Sequence, residues 1–328
     1  ILRRALCAQP VSAERRPTWA HRLEMLAVRV LVTMIGRLPL DTARSFGAGL
    51  GRFVYWPLGI RRKVVERQIQ AAFPGLDLAE VRRVSRAAYE HFGRSVVEIA
   101  VLSRLPAGAV MQWFEGSDDL APFDAAVTAG NGLIAVTGHL GSWELTAAYF
   151  AARGHQIDVI ARHMQNPLFD AYLKRTRERY GVRVVYDDEA VRTIPRALRD
   201  GRIVALVSDQ GVKGLASAFV QFFGRPAKTP RGAAVFAHRF ESPAMFFAAM
   251  RQPSGKYWMH IRPIPVQRGG EREQEIDDIV AAYTRTLETF VRRYPEQYFW
   301  LHRRWRRQPP DTPPELRDPV TLAAALEP

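Results

Sequence analysis

The chain of 328 residues is 47% hydrophobic and 24% charged, proportions that can fill the core of one large domain or two ordinary ones. Lys and Arg total 47 against 33 Asp and Glu, and the net charge of +14 indicates an anionic partner: nucleic acid, a membrane surface, an acidic carrier protein or a phosphorylated substrate. The single cysteine, Cys7, excludes an intramolecular disulfide. Because no Cys and His spacing is typical of zinc, no metal is expected.

The N-terminal part predicts contact with a membrane. Residues 1–18 are basic and polar, which predicts a disordered arm without a secretory signal. Residues 23–40 are the most apolar long segment, but Glu24, Arg29 and Arg37 interrupt it, and a charge near mid-bilayer costs roughly 3 kcal/mol. An interfacial helix is therefore favoured over one tilted span. Residues 46–69 add aromatic side chains flanked by basic ones, which suits the headgroup boundary of a membrane. Residues 19–70 are therefore predicted to be a membrane-associating helical segment; a core helix hairpin is the alternative.

Residues 71–308 are predicted to form an α/β domain, followed by a loose Pro-rich tail over 309–328. Apolar residues three or four positions apart predict a long amphipathic helix over 78–105. Apolar strands then alternate with helices, in the order strand 132–138, helix 142–154, strand 156–162, helix 166–181, strand 182–186, helix 189–201 and strand 202–209. This alternation predicts a mainly parallel or mixed central sheet flanked by helices. Strands over 242–251 and 256–266 are expected to pair antiparallel, before a helix over 271–293.

The turn after the first of these strands carries residues suited to catalysis. VTGHLGSWE (136–144) places His139 between two glycines at a strand end, where open parallel sheets form their active sites. On one helix His139 and Glu144 would diverge by about 140°, whereas a turn followed by a helix lets them face each other. A carboxylate would fix the tautomer of the imidazole and raise its basicity, as a general base requires. The spacing alone is common by chance, and a solvated turn histidine is the alternative.

The turn has no Gly-x-Ser-x-Gly elbow, and Ser142 lies on the wrong side of it to serve as a nucleophile. His139 is therefore predicted to activate a substrate hydroxyl directly.

TGHLGSWE resembles the active-site motif of the lipid A late acyltransferases, the lauroyl and myristoyl transferases of the lysophospholipid acyltransferase superfamily. The resemblance continues, in the family's order, through RRKVVERQIQAAFPG (61–75), FGRSVVE (92–98), FEGSDDL (114–120), ARHMQNPLFDAYLKRTRERYG (161–181), SDQG (208–211), FFGRPAKTPRGAA (222–234) and PEQYFWLHRRWRRQP (295–309). Ordered blocks are far more specific than one motif, so the chain is identified as a member of this family. A glycerolipid acyltransferase-like fold is then expected.

The resemblance implies that His139 deprotonates an acceptor hydroxyl, which attacks the thioester of an acyl donor, while Glu144 orients His139. Asp209, which ends a parallel strand at the same edge, is a rival for the orienting role or a loop cap. Arg162 is implied to bind an anion or to support the site. Substrate contacts are also predicted for Asn166, Gln210, Thr229 and Arg231. His163 stands where the family usually has proline, so specificity could differ.

The C-terminal run His302–Arg307 mixes basic and aromatic residues, which indicates binding of phosphates or headgroups. The alternative is a structural cap over the sheet, with Trp300 and Trp305 buried.

The resemblance implies acyl carrier protein, or acyl-CoA, as donor and co-substrate, with no further cofactor. It implies a lipid A precursor as acceptor, at the cytoplasmic face of the cell inner membrane. Lysophospholipid, ornithine-lipid and phosphatidylinositol-mannoside acceptors remain open, as do chain length and oligomeric state. A basic non-enzymatic protein that binds membranes or nucleic acid is the alternative of a different class. No nucleic-acid partner is predicted, because no recognised binding signature occurs in the sequence.

Overall fold

The structure, a computed structural model, describes residues 16–106, 108–212 and 214–326. Its helices are α1 (Trp19–Ile35), α2 (Leu40–Tyr55), α3 (Arg62–Ala72), α4 (Leu78–Leu102), α5 (Ala121–Thr128), α6 (Trp143–Ala152), α7 (Pro167–Arg179), α8 (Ala190–Arg199), α9 (Gly232–Arg239), α10 (Arg272–Arg293) and α11 (Pro319–Leu326). Its strands are β1 (Phe114–Ser117), β2 (Leu133–Thr137), β3 (Ile157–Ala161), β4 (Val182–Tyr186), β5 (Ile203–Val207), β6 (Ser217–Phe222), β7 (Arg225–Pro230), β8 (Ala244–Arg251) and β9 (Tyr257–Ile264).

Seven strands form the central sheet, in the order β1-β9-β8-β2-β5-β3-β4. The five strands from β8 to β4 are parallel, whereas β9 pairs with β8 antiparallel and β1 runs parallel to β9. The predicted α/β fold with a mainly parallel sheet is therefore confirmed, as is the antiparallel pair near the C-terminus. Strands β6 and β7 form a separate antiparallel hairpin that the apolar pattern did not predict.

Helices cover both faces of the sheet, which explains why β2 is apolar at nearly every position. All five of its residues are buried. Ile134 and Val136 pack in one core with α8, α9 and α10, and Leu133 and Ala135 pack in the other with α5 and α6. Successive residues of a strand point to opposite faces, so a strand between two layers must be apolar on both.

Helix α2 packs closely on α4 through glycines. A side chain on Gly93 would lie 2.0 Å from the carbonyl oxygen of Gly47, so only glycine allows this approach. The carboxylate of Glu98, on α4, is fully buried and receives Arg44 Nε from α2 and Arg251 Nη2 from β8, each at 2.7 Å. The glycine contact holds α2 against α4, and the ion pairs of Glu98 join both helices to β8 of the central sheet.

The apolar segment predicted over 23–40 is divided between α1 and the start of α2. None of the helices in the parts of the chain that the structure describes is long and apolar enough to cross a membrane. Residues 1–15 of the predicted disordered arm lie outside the described residues.

The prediction of a loose tail after residue 308 is wrong for residues 309–326. Asp318 is buried beside Arg303, and Arg225 Nη1 donates to the carbonyl oxygens of Glu315 and Arg317 at 2.9 and 3.0 Å. Helix α11 packs against α3. The Arg303–Asp318 ion pair and the hydrogen bonds to backbone carbonyls fix the segment to the domain.

Candidate active site

His139 and Asp209 meet because their strands are neighbours in the sheet. Strands β2 and β5 are parallel, with Thr137 opposite Val207 at their carboxyl ends. His139 and Asp209 each follow two residues later, and the imidazole Nδ1 lies 2.7 Å from the Asp209 Oδ1. The carboxylate is 2% exposed and the imidazole 26%, so the pair joins a buried carboxylate to an imidazole that is open to solvent.

Gly141 shapes the loop that carries His139. Gly141 has a φ of +55°, and a side chain there would lie 2.1 Å from the carbonyl oxygen of Ala249. The loop is held by backbone bonds, since Gly141 N donates to Gln297 O and Phe299 N donates to His139 O, each at 2.9 Å. His91 Nε2 lies 3.1 Å from Gly141 O. These bonds fix the backbone that orients the imidazole.

The surroundings of Asp209 keep its carboxylate ionised. Burial opposes ionisation, but the charge and hydrogen bonds of His139, together with the charge of Arg304, lower the pKa of Asp209 to about 2. Burial, and then the charge of Asp209 and a hydrogen bond to it, raise the pKa of the Tyr298 hydroxyl, which therefore stays protonated as a donor. An ionised acid on Nδ1 favours the tautomer with Nδ1–H, which leaves Nε2 able to accept a proton.

The expected contact between His139 and Glu144 is not formed. Glu144 instead receives two hydrogen bonds from Arg177, Nε to Oε2 at 3.0 Å and Nη2 to Oε1 at 2.5 Å, and one from the Tyr180 hydroxyl at 3.2 Å. Burial disfavours its charge, but Arg177 outweighs burial and lowers the pKa of Glu144. Glu144 lies in the first turn of α6 and its side chain faces α7, so its carboxylate joins these two helices. The carboxylate that contacts the imidazole is that of Asp209.

Sequence reasoning missed Arg177 and Tyr180 as partners of Glu144. Both lie in the block ARHMQNPLFDAYLKRTRERYG, at the end of α7 and just after it. A buried carboxylate requires a buried cation or several donors, and this basic block was the available signal.

Of three residues predicted to contact substrate, one lies beside His139 and two lie elsewhere in the fold. Gln210 Nε2 lies 3.1 Å from His139 Nδ1, so this residue is at the site. Asn166 is the N-cap of α7, as the sequence also predicts, and its Nδ2 donates to Glu24 Oε2 at 2.9 Å. The Thr229 hydroxyl is buried and accepts from Arg304 Nη2 at 2.6 Å. Gln210 alone among these three contacts the imidazole, while Asn166 and Thr229 hold backbone and side chains in place.

The two predicted arginines form ion pairs with acidic residues nearby. Arg162 Nε lies 2.9 Å from Asp187 Oδ2 on an exposed surface. Arg231 binds Glu273 and Asp277 of α10, at 2.6 and 2.7 Å. In the structure Arg231 thus links the start of α9 to α10, and Arg162 links the ends of β3 and β4.

Most of the C-terminal basic run is engaged within the protein, as the structural alternative predicts. Arg304 is buried and donates to Lys228 O and to Thr229, and Arg307 Nη1 donates to Gly211 O at 3.0 Å. Burial lowers the pKa of His302 to about 4, so its imidazole is neutral near pH 7. The structural alternative of a cap, with Trp300 and Trp305 fully buried, describes this run.

A small cleft opens at His139. Rings of Trp143 and Phe299 lie with centroids 5.0 and 6.0 Å from the imidazole. Ala88 and Phe92 of α4 also line the cleft, whose free space of about 10 Å³ is close to the minimum for one water. The cleft therefore has no room for a group much larger than one water.

The arrangement suits proton transfer at Nε2, which makes no hydrogen bond within residues 16–106, 108–212 and 214–326. The same described residues bring together no group of three or more His, Cys, Asp or Glu side chains that could hold a metal ion.

Known proteins resemble this chain along most of its length. Residues 16–307 match the family of bacterial lipid A biosynthesis acyltransferases. The lipid A biosynthesis lauroyltransferase of Escherichia coli K12 is 26% identical over 297 residues, covering 89% of this chain and 94% of the relative. The E. coli lipid A biosynthesis palmitoleoyltransferase is 24% identical, covering 83% and 88%. A lipid A biosynthesis acyltransferase of Haemophilus influenzae is 23% identical, covering 86% and 89%.

Because the family match spans almost the whole fold, including both strands that carry His139 and Asp209, the chain belongs to the bacterial lipid A biosynthesis acyltransferases and is an O-acyltransferase.

Proposed function

We propose that this enzyme transfers a fatty acyl chain from the thioester of acyl carrier protein to a hydroxyl of a lipid A precursor, with His139 as general base. The observation that carries the proposal is the 2.7 Å contact of His139 Nδ1 with the ionised, buried Asp209. This contact engages Nδ1 and leaves Nε2 unengaged, which supports proton transfer from a substrate hydroxyl and not from an enzyme nucleophile.

The reaction divides into two proton transfers around one acyl transfer. The acceptor hydroxyl gives its proton to Nε2 of His139 as its oxygen attacks the thioester carbonyl carbon. The carbon–sulfur bond then breaks, and the imidazolium returns the proton to the leaving thiolate. Asp209 stabilises the imidazolium through its negative charge and holds the tautomer through Nδ1–H. The products are an ester on the acceptor and a free thiol on the carrier.

The relatives support the acceptor, since two of them are named for lauroyl and palmitoleoyl transfer in lipid A biosynthesis. The net charge of +14 suits both an acidic carrier protein and a phosphorylated glycolipid. Acyl-CoA is the alternative donor.

We expect the purified enzyme to add one acyl group to a lipid A precursor when acyl carrier protein supplies the chain. Mass spectrometry would measure the mass gain, and equal concentrations of acyl-CoA would be compared in parallel. Faster transfer from acyl-CoA would overturn the donor assignment. Acylation of a lysophospholipid or an ornithine lipid, with no gain on the lipid A precursor, would overturn the acceptor.

The N-terminal helices present an apolar face suited to the membrane that holds such an acceptor. Large apolar side chains of α1, α2 and the loop after it are exposed: Trp19, Leu23, Leu26, Val30, Leu31, Met34, Leu38, Phe46, Leu50, Phe53, Trp56, Leu58 and Ile60. Exposed arginines, including Arg29, Arg37, Arg52 and Arg61, lie among them. We propose that this apolar N-terminal face lies in the headgroup boundary of the inner membrane, with arginines on lipid phosphates.

Replacing Phe53, Trp56 and Leu58 together with serine is expected to weaken binding to anionic vesicles by roughly ten-fold or more, because each side chain loses apolar burial. Vesicle sedimentation measures the binding. Transfer to acceptor in vesicles should fall in parallel, while transfer to detergent-dispersed acceptor should be unchanged. Phe219→Ser, at another exposed phenylalanine on β6, is the control. Unaltered vesicle binding by the triple variant would contradict this docking surface.

A further inference from the structure

One segment of the chain contacts both members of the catalytic pair. We call residues 297–304 the brace segment. Gly141 N donates to the carbonyl oxygen of Gln297 in this segment, and Phe299 N of the segment donates to His139 O. Tyr298 lies near Asp209, whose charge contributes to the raised pKa of the tyrosine hydroxyl. The brace segment thus fixes the backbone that carries the imidazole and places Tyr298 beside the carboxylate.

A single side chain holds the second half of the brace segment. Gln68, on α3, is fully buried, and its Nε2 donates to Trp300 O at 2.6 Å and to His302 O at 2.9 Å. Its Oε1 accepts from Arg304 N at 2.7 Å. Three backbone groups spaced over five residues of the segment are therefore bound by one amide.

The pattern of these groups requires an amide. Two carbonyl oxygens need donors and one N–H needs an acceptor, and a primary amide supplies both at one position. Methionine has nearly the same shape but leaves all three groups unpaired, and each buried unpaired group is costly. Glutamate keeps the acceptor for Arg304 N but places negative oxygen against two carbonyls.

We propose that Gln68 is a positioning residue for acyl transfer, which clamps the brace segment and through it aligns His139 with Asp209. The inference rests on the proposed function of that pair. Gln68 reaches no substrate, since its amide is enclosed between α3 and the brace segment. Its effect on the reaction is carried through Phe299 to His139 and through Tyr298 to Asp209.

Gln68→Met is the test, with Gln70→Met as the matched control. Gln70 lies on the same helix and makes one backbone bond, from Nε2 to Leu76 O at 3.1 Å, away from the brace segment. We expect Gln68→Met to lower kcat by roughly 10- to 100-fold, as small misplacements of catalytic groups do, with KM for either substrate within about two-fold. Gln70→Met should keep both constants. Gln68→Glu should share the kcat defect, because it preserves shape but not the two donors.

Hydrogen exchange gives a readout that does not depend on activity. In Gln68→Met the amides of Gly141 and Phe299 are expected to exchange faster than in the wild-type enzyme, while the amides of the β2 and β5 strands keep their protection. A folded Gln68→Met protein with wild-type kcat and unchanged exchange at these amides would overturn the clamp. Uniformly faster exchange throughout the sheet would also overturn it, since Gln68 would then support the fold and not the pair.

The two proposals fail in different ways. Absence of acyl transfer by the wild-type enzyme would overturn the proposed function, whereas the exchange of Gly141 and Phe299 would still test the clamp. Normal transfer by both the wild type and Gln68→Met would overturn the clamp alone.

Discussion

Replacing His139 with alanine is expected to lower kcat for acyl transfer by roughly 1,000-fold, within the range that general bases contribute. The variant lacks the imidazole Nε2 that takes the proton of the acceptor hydroxyl in the proposed reaction, and Asp209 is too deeply buried to replace it. Its thermal unfolding is expected at a lower temperature, because the buried carboxylate of Asp209 loses its hydrogen-bond partner.

Transfer measured by mass spectrometry, with unfolding followed by circular dichroism, would check this prediction. His163→Ala is a useful comparison, since His163 stacks on Tyr186 with ring centroids 3.7 Å apart and lies at the ends of β3 and β4. Its loss should leave kcat within a few-fold of the wild type. Undiminished transfer by His139→Ala would rule out His139 as the base.

The second large effect is expected for Asp209→Asn. The amide preserves the size of the side chain but not its charge, so the imidazolium formed during attack loses its buried counter-charge. A loss of roughly 100- to 10,000-fold in kcat follows from the role of such acids beside a catalytic histidine. Substrate binding should be preserved, because the carboxylate lies beneath the imidazole and contacts no substrate in the proposed geometry.

Glu144→Gln is expected to affect stability more than turnover, the reverse of Asp209→Asn. It leaves the partly buried guanidinium of Arg177 without its counter-charge. Breaking a fully buried ion pair typically lowers the free energy of unfolding by about 3 to 5 kcal/mol, and a smaller loss is expected for this partly buried pair. Unfolding would therefore shift to lower temperature, while kcat per folded molecule would fall much less than in Asp209→Asn. If Glu144→Gln kept its unfolding temperature and lost turnover, the chemistry would depend on Glu144 and the role given to Asp209 would be wrong.

The local pattern of residues was sufficient to predict most of the domain. Short apolar runs became β2, β3, β4 and β5 within a residue or two of their predicted bounds, and Asn166 with Pro167 marked the start of α7. These signals are local. A strand covered by helices on both faces must be apolar throughout, and an N-cap residue binds the backbone of the first helical turn that follows it. The β6–β7 hairpin was missed because it is half polar and includes prolines 226 and 230.

The sequence by itself also placed His139 at a strand end between glycines, but only the tertiary structure decided which carboxylate it contacts. Glu144 is five residues away along the chain, yet the direction of its side chain on α6 takes it to Arg177. Asp209 is 70 residues away and becomes a neighbour because β5 lies beside β2, a strand order that hydrophobic periodicity does not encode.

The same distinction applies to charge. The sequence of the basic run His302–Arg307 is compatible with both a phosphate-binding surface and a structural cap. The structure shows that Arg304 is buried against β7 and α3, where it donates to Lys228 O and to Gln68. Residue type and local spacing determine which groups are available for catalysis. Contacts between distant segments determine which of them meet, because those contacts depend on the packing of whole helices and strands.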